Sequence, residues 1–187
     1  MICNEFEGES ETVVTISDIH MGNKNTDVNA FKRVINDVKR NGYHLIVLGD
    51  LCECITAKDK RFDFGTIDPE YLTEDMIGKQ YKSVEKILKP VADQILTIHC
   101  GNHDQAITKK CHVDMVKNLC ENLDVNYSYY SALSRLSYIV RGKKFSYTLY
   151  TTHGYVSGRQ KGGKVNALES LAAHIDFDVA FAGHSHD

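Results

Sequence analysis

The hydrophobic pattern alternates between short apolar runs and longer segments of helical period. Thr12 to Ser17 is a β-branched run, Leu45 to Leu48 and Ile95 to His99 are two more, and Val179 to Ala182 is a fourth. Runs of this length bounded by turn residues predict strands, and the first two read as buried. Between the first two, Val28, Phe31, Val34, Ile35 and Val38 recur at helical spacing, and Asn41-Gly42 closes the segment. Further helices are predicted from Thr73 to Leu88, with Pro90 near the end, from Val113 to Leu123, and from Val165 to Ile175. Ser134 to Arg141 alternates around Leu136, Tyr138 and Val140, Gly142-Lys143 is a turn signal, and Phe145 to Thr152 is strand-like again. That pattern predicts an antiparallel hairpin. Cys52 to Asp68 is polar, charged and aromatic, and reads as an irregular loop. Strands alternating with helices, plus one hairpin, predict an α/β domain with a mixed sheet.

Composition narrows the class. The chain has 187 residues, 42% hydrophobic and 25% charged, enough for a core without staples and unlike a disordered segment. No linker, repeat or low-complexity stretch divides it, so residues 1–187 are read as a single domain. No apolar run approaches the roughly 20 residues a membrane helix needs, and the acidic start from Met1 to Glu11 is not a secretory signal. The six cysteines contain no C-x-x-C pair, and Cys52 and Cys54 are too close for a comfortable bridge, so reduced thiols in a cytoplasmic protein are expected. A net charge of −3 supplies no global basic field for nucleic acid or anionic lipid. Neither a membrane nor a protein partner is implied.

The candidate chemistry sits after the strands. The first strand runs into Asp18-Ile19-His20, the second into Gly49-Asp50, and the third into Gly101-Asn102-His103-Asp104. The hairpin ends in Thr152-His153-Gly154, and the last strand in Gly183-His184-Ser185-His186. Carboxyl ends of strands converge on the ligand crevice of an open α/β sheet, so five distant segments deliver metal-binding residue types to one place. His44, His99, His112 and His174 stand outside these segments and are read as structural or solvated.

This ordered set, spanning Asp18 to His186, resembles the calcineurin-like metallophosphoesterase superfamily. The resemblance implies two mixed β-sheets sandwiched between helices (α/β/β/α). It also implies that Asp18, His20 and His186 hold one divalent metal ion, that Asn102, His153 and His184 hold a second, and that Asp50 bridges them. Mn²⁺ is the first expectation, with Fe²⁺ or Zn²⁺ as alternatives for such a mixed donor set. By the same resemblance a water between the metals is the nucleophile, and His103 is the general acid. Glu53, three residues after Asp50, stands where many members carry an acid that orients that histidine. Members usually continue past Gly-His-x-His with further strands, so C-terminal strands are expected to be missing from a sequence that stops at Asp187, leaving an open sheet edge.

Departures bear on substrate. Protein Ser/Thr phosphatases of the superfamily carry Asp-Arg-Gly after the bridging Asp, and Glu after Asn-His; here Glu53-Cys54-Ile55 and Asp104 stand instead. The phosphate-gripping Arg is missing, which favours a phosphodiester in a nucleotide or nucleic acid over a phosphoprotein. A small phosphomonoester is the second reading, and a scaffold without catalysis is the rival from another class. Gly158 to Lys164 fits G-x-x-x-x-G-K, but Val165 follows where a P-loop needs Ser or Thr. Arg159, Lys161 and Lys164 in that stretch are instead candidates for binding a substrate phosphate. Arg61, Phe62 and Phe64 are a candidate cleft wall for a nucleotide.

Overall fold

A computed structural model describes residues 2–7, 11–57, 59–60, 62–154, 166, 169–170 and 173–184. Four strands form a sheet that is parallel throughout: β2 (Val13–Ile16), β3 (His44–Val47), β4 (Ile95–His99) and β5 (Tyr127–Ser128), adjacent in that order. A second, mixed sheet has the order β1 (Ile2–Glu7), β6 (Ser131–Val140), β7 (Lys143–Thr152) and β8 (Val179–Ala182). Its β6–β7 pair is the predicted antiparallel hairpin, and its outer pairs are parallel. Strands β1 and β5 are additions to the predicted set. β5 has two residues, too few for a periodic signal. β2 is half-buried rather than buried, because it lies at the edge of its sheet.

Helices α1 (Val28–Asn41), α2 (Met76–Leu88) and α4 (Met115–Leu123) begin at Asp27, Asp75 and Asp114, whose carboxylates accept from backbone N–H groups of the first turn. Gly42 ends α1 in the left-handed conformation. The helix predicted from Val165 to Ile175 lies partly outside the described residues, and α3 (Asn102–Cys111) is an addition to the predicted set. The polar run Asn102-His103-Asp104-Gln105 at its start hides its amphipathic period, but Asp104 is the acidic third residue that suits a helix N-terminus.

Burial follows from these faces. The larger core joins β3 and β4 to α1, α2 and α4 through residues such as Leu45, Val47, Ile98, Phe31, Val38, Val84 and Leu119. A smaller core lies between the sheets: Ile46, Leu48 and Leu96 meet Leu136 and Leu149. Leu136, Tyr138 and Val140 do share the face of β6 that turns toward this layer, as their alternation predicted. His99 is fully buried there and reaches across to Thr151 Oγ1 at 2.9 Å. Residues 129–130 carry the chain from one sheet to the other beside the strand ends.

Candidate metal centre

The strand ends are drawn together by backbone pairing. Asp18 N–H donates to the Gly49 carbonyl at 3.0 Å, His20 N–H to that of Asp50 at 3.0 Å, and Gly183 N–H to that of Thr152 at 3.2 Å. At Gly101 a side chain is excluded, since a Cβ would collide with the amide and carboxylate of Asp50. Asp18, His20, Asp50 and His184 all adopt positive φ, between 49° and 68°. Each such residue costs about 1–2 kcal/mol, and strain of this kind clusters where side chains must be aimed at one point.

Asp50 is at the centre. Its Oδ1 accepts from His103 N–H, in the first turn of α3, at 2.8 Å. Its Oδ2 lies 3.3 Å from His153 Nε2 and 3.9 Å from His20 Nε2. His153 Nδ1 is 2.7 Å from the Leu48 carbonyl. A carbonyl only accepts, so the proton is on Nδ1 and the lone pair of the neutral ring is on Nε2, as second-shell partners of metal-binding histidines arrange it. The inward amide atom of Asn102 lies 3.1 Å from that Nε2, 2.7 Å from His184 Nδ1 and 3.3 Å from Asp50 Oδ2. Placed as oxygen it meets only acceptors, an arrangement that hydrogen bonding disfavours and a shared cation satisfies. Turned over, the amide would present NH₂ donors to the same atoms and could not ligate a cation. Ligand atoms of Asp18, Asp50, His153 and His184 all fall within 4.8 Å of one another, as do those of His20, Asp50 and His103. Oxygen and imidazole donors at this spacing fit divalent ions. Asp18 also accepts from His184 N–H at 2.9 Å and lies 3.9 Å from His20 Nε2, so it stands between the two groups.

Glu53 divides its contacts. Its carboxylate is 3.3 Å from His20 Nδ1, accepts from Asn23 Nδ2 at 3.3 Å, and is 3.9 Å from His103 Nδ1. Its backbone carbonyl accepts from His103 Nδ1 at 2.7 Å. The residue thus orients His103 through its main chain and contacts His20 through its side chain. The T-shaped His20 and His103 rings lie 4.5 Å apart.

The charges are mutually supporting. Burial alone would push Asp50 up, but contact with His153 and the charges of His153 and His103 bring it below its ordinary value. Glu53 is likewise lowered, burial being outweighed by His20, His103 and Asn23. Burial opposes charge on His20 and His153, yet both are raised: Glu53, Asp50 and Asp18 act on His20, and chiefly Asp50 on His153.

Four further residues support the centre: Asp104, which closes the Gly101-Asn102-His103-Asp104 segment, and Asn23, Gln80 and Tyr81, which stand in no motif. The buried Asp104 carboxylate accepts from Gly101 N–H at 3.0 Å, Leu51 N–H at 3.3 Å and Tyr81 Oη–H at 2.7 Å, joining the loop after β3 to α3 and α2. Burial and the Asp50 charge push it up. Gln80 accepts from Cys54 N–H at 3.2 Å. Asn23, Gln80 and Tyr81 are brought in by packing; only Asp104 stood in a segment the sequence singled out. His186, Arg159, Lys161, Lys164 and Arg61 lie outside the described residues. Phe62 packs on the larger core, and neither it nor Phe64 lines the two clefts beside the centre. Those clefts, about 460 and 540 Å³, open on the His20–Glu53 side and the His153–His184 side. Among the described residues no helix is long and apolar enough to cross a membrane.

No curated protein matches the chain. A solved PfkB family carbohydrate kinase from Listeria grayi aligns at TM-score 0.33 and 10% identity, covering 90% of this chain and 50% of that one. The chain therefore spans about half the length of that protein, and a likeness this faint carries no argument. The calcineurin-like phosphoesterase family model, by contrast, matches residues 11–187. That match takes in every strand-end segment converging on Asp50, and by it the chain belongs to the calcineurin-like phosphoesterase family.

Proposed function

We propose that the chain is a metal-dependent phosphodiesterase acting on a nucleotide or nucleic acid, working in the cytoplasm as the single domain 1–187. The observation that carries the metal reading is the inward amide of Asn102, facing the lone pair of His153 and an oxygen of Asp50. In this reading Asp50 is shared, Asn102, His153 and His184 hold one ion, and Asp18, His20 and His186 hold the other. Two divalent ions there, Mn²⁺ by first choice, would neutralise phosphoryl oxygens and lower the pKa of a water between them.

The chain's own groups supply the rest. With Nδ1–H bonded to the Glu53 carbonyl, His103 presents Nε2 to the cleft. As the imidazolium it donates the Nε2 proton to the oxygen leaving phosphorus, while the attacking water oxygen forms the new P–O bond. A proton released from that water restores the imidazolium. His103 N–H meanwhile fixes one oxygen of Asp50, leaving the other for the cations. The absence of the phosphatase Asp-Arg-Gly supports a diester over a phosphoprotein, and the six unpaired thiols support a reducing compartment.

The test is a paired assay of Mn²⁺-loaded protein with bis-p-nitrophenyl phosphate and p-nitrophenyl phosphate. Faster diester hydrolysis, abolished by chelator and restored by Mn²⁺, is expected. Faster monoester hydrolysis would replace the reading by phosphomonoesterase. Turnover of neither, with Mn²⁺, Fe²⁺ or Zn²⁺, would leave a non-catalytic scaffold.

A further inference from the structure

We infer that the cleft on the His153–His184 side binds the base of a small nucleotide, stacked on Tyr130. This rests on the phosphodiesterase reading and narrows its substrate class.

The cleft is continuous with the metal centre, since Asn102, His153 and His184 form its inner wall. Its outer wall comes from Tyr130, Ser131 and Gln105. Tyr130 is held in place from two directions. Its carbonyl accepts from Thr152 Oγ1 at 2.9 Å, one residue before His153, and its ring meets that of Tyr129 edge-on at 4.2 Å. Despite this anchoring the side is open, with Tyr130 53% exposed. An aromatic ring fixed beside a phosphoryl site and left uncovered has the form of a stacking platform. Gln105, only 7% exposed, carries a donor and an acceptor on one amide, and Ser131 adds a hydroxyl. Apart from the histidines of the centre, the described lining holds no ionisable side chain more acidic or basic than a thiol or phenol. A neutral, planar group with hydrogen-bonding edges matches these walls, and a nucleobase is such a group. A volume of about 540 Å³ is ample for a nucleoside.

The opposite cleft argues against a long polynucleotide. Its lining includes Asp18, Asp27 and Glu53, with Asn23, Asn25 and Thr26, and no Lys or Arg among the described residues. Asp18 and Glu53 are taken up by the centre, but Asp27 adds like charge, and the described wall offers the further phosphates of a strand no Lys or Arg to pair with. Hydroxyl and amide groups there suit a sugar or a small leaving alcohol.

The experiment measures binding and turnover on Mn²⁺-loaded protein. Calorimetry compares adenosine 5′-monophosphate with ribose 5-phosphate, which differ by the base. Wild type should prefer the nucleotide about tenfold, as expected for one stacked base. Tyr130→Ala should remove most of that preference and Tyr130→Phe should retain it. In parallel, the ratio of kcat/KM for adenosine 2′,3′-cyclic monophosphate over glycerol 1,2-cyclic phosphate should fall about tenfold in Tyr130→Ala. Equal binding of the two monophosphates by wild type, or an unchanged preference in Tyr130→Ala, overturns the subsite. If no cyclic diester is hydrolysed, the phosphodiesterase reading fails while the calorimetry still decides the subsite. A single-stranded oligonucleotide that displaces the monophosphate at hundredfold lower concentration overturns the restriction to small nucleotides.

Discussion

At the scale of the residue, the centre works by fixing protons. His103 and His153 each give Nδ1–H to a backbone carbonyl, so both present Nε2 inward. For His103 this predicts a leaving-group signature. His103→Asn removes the proton donor and should lower kcat about 10²–10⁴-fold for an alkyl diester. The loss should be much smaller for a p-nitrophenyl ester, whose phenolate departs without help. A uniform loss across leaving groups would mean that the side chain holds the phosphoryl group rather than protonating the leaving oxygen. Gly101→Ala tests the backbone approach: its Cβ would strike Asp50, so metal affinity should drop in a titration while helical circular dichroism is kept. Most of this centre was legible because each ligand immediately follows an apolar run, with no other element between. The division of Glu53 was not legible. Sequence spacing placed an acid near His103, but the shorter contact to that ring comes from the main chain, which no residue type announces.

At the scale of the element, α3 carries the ligand Asn102 and the acid His103 and is held to the sheet by one carboxylate. Asp104 joins the Gly101 and Leu51 amides to the phenol of Tyr81 inside the protein. Asp104→Ala leaves four buried donors, the Gly101, Leu51 and Cys52 amides and the Tyr81 phenol, without their acceptor, each costing about 1–3 kcal/mol. A loss of roughly 3 kcal/mol or more is expected in urea denaturation. Tyr81→Phe removes a single donor to the carboxylate and should cost about 1–2 kcal/mol. The double variant should cost less than the sum, because the partners share one network. Additivity would show that Asp104 and Tyr81 stabilise the fold separately. The elements themselves were unevenly legible. Helices α1, α2 and α4 combine a clear apolar period with an Asp cap, whereas α3 spends its first turn on ligands and the residues that hold them. Its polar start therefore reads as loop, and only packing against Leu51 and Tyr81 shows why it folds there.

At the scale of the whole molecule, two sheets are held face to face by a thin layer. Its buried apolar members are Ile46, Leu48, Leu96, Leu136 and Leu149, with His99 between the sheets as a buried polar tie. The hydrophobic pattern assigned six of the strands, all but β1 and β5, but not their division between sheets; the two-sheet expectation came from the family resemblance. His99 makes this layer sensitive to acid. Burial, aided by the nearby charge of His153, lowers its pKa from 6.5 to about 4. The unfolded chain therefore takes a proton at this position near pH 6.5, while the native protein refuses it until about pH 4. Stability is lost as pH falls through that window and levels off below it, because the unfolded state binds the extra proton. At about pH 5 the contribution is on the order of 2 kcal/mol. His99→Gln retains a group able to bond Thr151 but cannot be protonated. Urea midpoints measured in chelator at about pH 7.5 and about pH 5 isolate the effect from proton-linked metal release. The wild type should lose stability more steeply than the variant over this interval. Parallel losses would place the acid sensitivity elsewhere, in the carboxylates around Asp50 rather than in the layer that joins the sheets.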